Sequence, residues 1–283
     1  MGTGGIATYY ARLGRWTRVA RAFGYGGGHS TLTVHRALAD PQAQGRATFT
    51  RLHDVLREQL PPLATPRVLD AGCGLGGTML ALAAAFEATC IGLTLSPTQA
   101  QAANAAAARR GLASRVRAVV QSYDDPPQGP FDLIVAIESL AHSADPKRSV
   151  AALAGVLAPG GLFVVVDDMP EVAALATKDL HAFKAGWQCP VLWSASEYKD
   201  AFSDSGLRLF KELDLTGDCR PRSRARIERL VALNRIVRRV SPSTGLQQVL
   251  DSHLGGLALE RLTRDGVMRY GLLIARRPEL RAS

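Results

Sequence analysis

Acids, an imidazole and glycines gather in three short stretches of this 283-residue chain. In Asp70-Ala71-Gly72-Cys73-Gly74-Leu75-Gly76-Gly77 a carboxylate stands two residues ahead of a glycine run. Such a run permits positive φ and lets a ligand lie against bare backbone. In Ile137-Glu138-Ser139-Leu140-Ala141-His142 the imidazole of His142 could take a proton from a hydroxyl, amine or carbon acid, its unperturbed pKa lying near ~6.5. Glu138 could orient that imidazole, stabilise a cation or cap the next helix. A histidine that shapes a ligand shell without moving a proton is the plainer reading of His142. Asp167-Asp168-Met169-Pro170 could meet a substrate or cap a helix.

For these stretches to cooperate, they must lie at one edge of a sheet. Phe49, Leu52, Val55, Leu56 and Leu60 recur at helical spacing from about residue 41 to Pro61-Pro62. Pro66 to Asp70 reads as a strand, Thr78 to Phe86 as a buried helix and Thr89 to Leu95 as a second strand. Ser96-Pro97-Thr98-Gln99 then opens a helix with an N-cap serine, proline at the first helical position and glutamine in the capping-box place. Val116 to Val120 and Phe131 to Ser139 are the third and fourth strands. Lys147 to Leu157 is a helix stopped by Ala158-Pro159-Gly160-Gly161, and Leu162 to Val166 is the fifth strand. A helix at Ser194 to Ser205 and strands at Leu207 to Leu215 and Met268 to Arg276 follow. Strands alternating with helices predict an α/β fold: a Rossmann-like, seven-stranded, mostly parallel sheet with helices on both faces. Ligands of such sheets bind beyond the carboxyl ends of the strands, where all three stretches fall.

Gly72, Gly74 and Gly77 satisfy G-x-G-x-x-G, so a dinucleotide site must be weighed. No acid ends the second strand, where a ribose partner would stand, because Thr94 is there; no P-loop lysine follows either. Val68 to Gly77 instead resembles motif I of class I S-adenosylmethionine (SAM) methyltransferases. Gly92-Leu93-Thr94-Leu95-Ser96-Pro97-Thr98-Gln99 resembles the second-strand exit of one branch of them. That branch holds cyclopropane fatty acid synthases, tocopherol and sterol C-methyltransferases and alkaloid N-methyltransferases, and the likeness spans about residues 60–170.

The resemblance implies roles. Gly72, Cys73 and Gly74 would pass under the methionine part of SAM, with Asp70 orienting the loop or meeting the amino group. Thr94, Leu95 and Gln99 would border the ribose and adenosine. Ser122 stands where many relatives place an adenine-binding aspartate, leaving adenine to backbone or to stacking on Tyr123. Ser30 would join the cofactor shell. Glu138 and His142 would be the catalytic pair. Tyr10, Asp168, Arg220 and Arg222 would face the acceptor, the arginines gripping a phosphate, diphosphate or carboxylate. Cyclopropane synthases place a glutamate directly before this histidine, and the Ala141 methyl cannot replace it. No metal is required.

Composition bounds the rest. With 47% hydrophobic and 21% charged residues the chain is globular rather than disordered. No uninterrupted apolar run of ~18 residues exists for a membrane span, and an apolar signal core is lacking at the start. Cys73, Cys90, Cys189 and Cys219 are scattered, which suits a reducing cytoplasm. The net charge of +9 is concentrated. Arg12, Arg15, Arg18, Arg21 and Arg36 lie in an N-terminal arm, 1–40; Arg220, Arg222, Arg224, Arg226, Arg229, Arg235, Arg238 and Arg239 lie near the start of a helical insertion, 217–265. The SAM-binding core is expected over 41–216, and the last strand and tail over 266–283. Arm and insertion would close over an acceptor as lids. Asp124-Asp125-Pro126-Pro127 reads as a turn, and no nucleic-acid-binding motif accompanies the arginines. The expected enzyme therefore methylates carbon, nitrogen or oxygen of a small-molecule acceptor, anionic or hydrophobic. The alternative is C-methylation of a prenyl diphosphate alkene through a carbocation. A catalytically silent SAM-binding scaffold is a third class, and a homodimer is left open.

Overall fold

The computed structural model describes residues 31–171, 177–240 and 244–279. The described chain begins as a strap over residues 31–36, then forms a small hairpin, β1 (Leu38–Ala39) with β2 (Ala47–Thr48), and helix α1 (Arg51–Gln59). The main sheet and its helices follow in chain order: β3 (Arg67–Ala71), α2 (Gly77–Phe86), β4 (Thr89–Thr94), α3 (Pro97–Arg109), β5 (Val116–Val120), β6 (Phe131–Ile137), α4 (Pro146–Gly155) and β7 (Leu157–Pro170). Then come α5 (Lys178–Trp187), α6 (Ala195–Asp204), β8 (Arg208–Asp214), α7 (Arg224–Val240), α8 (Thr244–Arg264) and β9 (Met268–Arg276).

Seven strands pair in the order β5-β4-β3-β6-β7-β9-β8. All neighbours from β5 to β7 are parallel, and β9 runs antiparallel between β7 and β8. The central strands are apolar on both faces, as burial on both sides demands. Val68, Leu133, Val135, Val164 and Val166 pack with Leu52 and Leu56 of α1 and Met79 and Leu80 of α2 on one face. On the other, Leu69, Ile134, Ala136, Phe163 and Val165 pack with Val150 and Leu153 of α4 and Tyr198 and Phe202 of α6. Each such side chain taken fully from water contributes about 1.5–3 kcal/mol. The strand order puts β3 and β6 side by side at the centre, so their carboxyl ends open a single edge.

Three local expectations change. The segment expected as the start of a helix, 41–49, is a 3-10 turn capped by Asp40 and the second hairpin strand. Ala158-Pro159-Gly160-Gly161 does not merely end a helix: it opens the 14-residue β7, where Gly160 N–H donates to Arg277 O at 2.9 Å and Arg277 N–H to Gly161 O at 2.9 Å. Helix α5 lies where no element was read. Its N-cap Thr177 accepts from Leu180 N–H and its end is Gln188 in the left-handed region. Leu180 and Phe183 of α5 pack on Ala258, Leu259 and Leu262 of α8.

Candidate active site

The loop leaving β3 is shaped by backbone that only glycine adopts easily: φ is +109° at Gly72, +52° at Gly74 and +85° at Gly76. A Cβ on Gly72 would lie 2.4 Å from Ser139 Cβ, so the exits of β3 and β6 touch. A Cβ on Gly77 would lie 2.6 Å from Thr31 O and 2.8 Å from Leu32 O, so the strap crosses directly over the N-terminus of α2. Between strap and loop is a small cavity lined by Thr33, Val34, His35, Asp70, Gly72 and Thr78, among others.

Asp70 faces this cavity from the end of β3. It is buried, and its Oδ2 has no hydrogen-bond partner. Burial alone pushes its carboxyl up to about 7. Ser139 Oγ, buried across from Gly72, also has no partner. Two buried polar atoms without partners beside bare glycine backbone are a cradle for a polar ligand with a cationic end, and the ammonium of SAM has that chemistry. Cys73 is buried, with burial pushing its thiol well up, so it lines the loop as a small hydrophobe.

At the second exit, Thr94 Oγ1 donates to Gln99 Oε1 at 2.7 Å and accepts from Ser96 N–H at 3.2 Å. Ser96 caps α3 by accepting from Gln99 N–H at 3.3 Å. The glutamine side chain thus turns toward Thr94, leaving the capping box half made. Leu95 is half-buried beside them. At the third exit Ser122 Oγ accepts from Asp124 N–H at 3.1 Å, and Tyr123 OH donates to Ser139 O at 3.1 Å. Tyr123 therefore ties the loop after β5 to the β6 exit.

The exits of β6 and β7 are built on charge. Glu138 has φ +48°, a strained value for its side chain. Its Oε1 accepts from Arg36 N–H at 2.8 Å and from Tyr270 OH at 2.8 Å. The Arg36 guanidinium pairs with Asp168 at 2.9 Å and lies 5.4 Å from the centroid of the Tyr270 ring. Burial pushes Asp168 up to about 7; Arg36 opposes this and Glu138 adds to it. Burial, Asp168 and Glu138 raise Asp167 to about 8. Asp167 is held by Tyr198 OH at 3.1 Å and by the N–H groups of Ala141 at 3.3 Å and Asp168 at 2.9 Å. His142 presents Nδ1 to Gln188 O at 3.5 Å, which favours the tautomer protonated there, and burial lowers its pKa. At neutral pH it is an uncharged imidazole.

Asp70, Gly72 and Cys73 thus line one cavity, Ser139 abuts it at Gly72, and Glu138 and Asp168 are joined through Arg36. Arg222 is paired with Glu260: its backbone N–H donates to that carboxylate at 2.7 Å and its guanidinium pairs with it as well. Arg220 is exposed. Tyr10 and Ser30 lie outside the described residues. Sequence reasoning missed Arg36, Tyr270, Tyr198 and Thr263. The one signal for Tyr270 is register, since it pairs across from Asp168 in the β7–β9 ladder. Among the described residues no group of three or more His, Cys, Asp and Glu is placed to hold a metal ion, and no helix is long and apolar enough to cross a membrane.

Comparison with known proteins agrees with this geometry. Residues 42–212 match the model of a methyltransferase domain family. Over 96% of the chain and 97% of the relative, it is 27% identical to ajmaline N-methyltransferase of Rauvolfia serpentina. It is 31% identical to 27-O-demethylrifamycin SV methyltransferase of Amycolatopsis mediterranei (strain S699), over 64% of this chain and 68% of that one. In fold it is similar to a geranyl diphosphate methyltransferase solved with GPP and sinefungin, with a TM-score of 0.73 at 23% identity, covering 97% of this chain and 99% of that one. With its glycine cradle, its strand order and a family match over most of its sheet, the chain belongs to the methyltransferase domain family and is a class I SAM-dependent methyltransferase of the branch that holds the tocopherol, sterol and alkaloid enzymes.

Proposed function

We propose that the enzyme methylates a nucleophilic oxygen, nitrogen or carbon of a small natural-product-like molecule, with His142 as the proton acceptor. What carries this reading is His142 itself: a buried, neutral imidazole on the turn that follows β6, one turn beyond the serine that touches the glycine loop. A neutral imidazole accepts a proton, and general-base help of this kind is worth about 10²–10⁴ in rate. Relatives named for ajmaline, 27-O-demethylrifamycin SV and 24-methylenesterol support a small-molecule substrate.

When bound, SAM supplies an electrophilic methyl on a sulfonium. Asp70 would hold its ammonium end, the Gly72–Gly74 backbone would lie under its methionine part, and Thr94, Leu95 and Gln99 would border its ribose and adenosine, with Ser122 and Tyr123 at adenine. Glu138 and Asp168 would line the acceptor side, and Arg36 keeps their charge balanced. Most of the rate enhancement on this reading comes from holding the acceptor in line, a term of up to about 7–11 kcal/mol. The arm (1–40, including Ser30 and Tyr10) and the insertion (217–265) would close the acceptor site, and a cytoplasmic location suits the buried free thiols.

The second reading is C-methylation of a prenyl diphosphate. Favouring it, Glu138, Asp168 and the Tyr270 ring would steady a carbocation. Against it, Arg222 is committed to Glu260. Incubating the full chain with methyl-labelled SAM and phenols, amines, sterols and geranyl diphosphate separates the two. Label in a phenol or amine, lost in His142→Ala, supports the first; label in geranyl diphosphate alone overturns it. Absence of SAM binding by calorimetry would overturn both.

A further inference from the structure

The strap that crosses the glycine loop ends at Arg36, and Arg36 joins four separate elements. Its main-chain N–H donates to Glu138 Oε1 at 2.8 Å, at the exit of β6. Its guanidinium pairs with Asp168 of β7 at 2.9 Å. It lies 5.4 Å from the Tyr270 ring centroid on β9, and reaches Thr263 Oγ1 of α8 at 3.4 Å. None of these partners is near Arg36 in sequence, and the guanidinium is largely withdrawn from water, its side chain 14% exposed against 3% for Asp168. A buried cation of this kind is retained only where its partners hold it, and breaking one side of such a pair costs far more than an exposed pair would.

The five residues before Arg36 do a different job. Thr31 O and Leu32 O lie against Gly77, Val34 Cγ2 lies 3.5 Å from where a Cβ of Gly74 would be, and Thr33 to His35 line the cavity that Asp70 faces. Leu32 has φ +58°, so the strap is held in a shape that its own backbone disfavours. Something beyond the strap must hold it there, and the next residue is the buried arginine.

We propose that Arg36 is a positioning residue that clamps the cofactor strap to the two acceptor-side acids, so that cofactor affinity depends on the Arg36–Asp168 pair although neither residue lines the cofactor cavity. The inference rests on the strap cavity being the SAM site. Through the same residue, Glu138 and Asp168 are fixed relative to the glycine loop, and the two substrates' sites share one anchor.

The test is a double-mutant cycle on the full chain, read by calorimetric binding of S-adenosylhomocysteine and by melting temperature. Arg36→Met keeps the main-chain bond to Glu138 but leaves Asp168 buried without its cation, and is expected to weaken binding at least tenfold. Adding Asp168→Asn removes the orphaned charge and is expected to recover most of that loss. Arg36→Lys is expected to stay within about threefold of wild type. A folded Arg36→Met that binds as wild type does, or a loss that Asp168→Asn fails to repair, overturns the clamp. If Arg36→Met does not fold, Asp168→Asn alone provides the reading: binding weakened at least threefold supports the clamp, and unchanged binding overturns it. If wild type binds no S-adenosylhomocysteine, the assignment of the cavity fails instead. The cycle is then read in melting temperatures, where the double variant must melt above Arg36→Met; additive losses overturn the clamp.

Discussion

The two halves of the sheet edge are built by opposite means. On the half proposed to hold the cofactor, Asp70 to Gly77 and Thr94 to Gln99 are contiguous segments at strand exits, and each contributes through local backbone shape. On the half proposed to face the acceptor, Glu138, Asp168, Arg36, Tyr270 and Thr263 come from the β6 exit, β7, the strap, β9 and α8, and are held by ion pairs and buried hydrogen bonds. The cofactor half serves one ligand and is made from glycine and a cap. The other half, which on the proposed function faces the acceptor, is assembled from side chains of distant elements that depend on one another through Arg36.

The largest effect that separates the halves should come from His142→Ala. If His142 is the base, kcat falls by about 10²–10⁴ while S-adenosylhomocysteine affinity stays within about threefold, both measurable once a labelled acceptor is in hand. Equal losses in both would place His142 in the cofactor half. Gly72→Ala should do the reverse. The new methyl would meet Ser139 Cβ, and φ of +109° is forced on a residue with a side chain. Strain of about 1–3 kcal/mol plus overlap of a similar ~1–3 kcal/mol, relieved by displacing the loop from its binding shape, predicts cofactor affinity down by at least about 30-fold. Titration calorimetry checks it, and near-normal binding would move the ligand away from this loop.

This asymmetry also decided what could be read from the sequence. The strand exits, the cap at Ser96 and the glycine loop were legible because each is written within about eight consecutive residues. The strand pattern was legible for the same reason, down to Val116–Val120 and Met268–Arg276. Arg36 was visible only as one more charge in a basic arm, because nothing in its neighbourhood points to Asp168, which is 132 residues further on. Tyr270 sat inside an apolar strand, with nothing in its immediate neighbours to mark a partner in Glu138. Helix α5 escaped because its apolar residues face α8, an element some seventy residues away, rather than marking a stripe against a neighbouring strand. Arg222 shows what spacing leaves out: it is paired inside the protein with Glu260, 38 residues further on.

A smaller effect sharpens the cofactor half. Asp70 titrates near about 7 in the free protein because burial disfavours its charge. If it meets the ammonium of SAM, the complex favours the ionised carboxylate, so binding releases a proton below that pH. Affinity should then fall by up to tenfold for each pH unit below about 7 and level off above it. Asp70→Asn should bind about tenfold more weakly at pH 8 and lose this slope. Calorimetry in two buffers of different ionisation enthalpy counts the proton directly. A wild-type slope that survives in Asp70→Asn would assign the proton to another group.

The smallest predicted effect concerns Asp167, which supports the acceptor half from behind. Its carboxyl titrates near about 8 in the folded protein, raised by burial, and the Tyr198 hydroxyl at 3.1 Å opposes that rise. The unfolded chain gives up this proton near the ordinary value of 3.8. The contribution to stability is therefore fully present below about 4 and lost as pH rises through about 8. Asp70 and Asp168, each raised to about 7, add to the same trend. Burial lowers His35, His53, His142 and His253, so they act at and below their ordinary 6.5 and leave the window above it to the acids. The melting temperature of the ligand-free protein should fall between pH 6.5 and 8.5. Tyr198→Phe should cost about 1–2 kcal/mol at pH 6.5 by removing a buried hydrogen bond. Because the lost hydroxyl favoured the ionised carboxyl, the cost should grow at pH 9, with cofactor binding unchanged. A penalty that is the same at pH 6.5 and pH 9 would mean that Asp167 is already ionised at neutral pH, and that this half carries one more negative charge than Arg36 can balance.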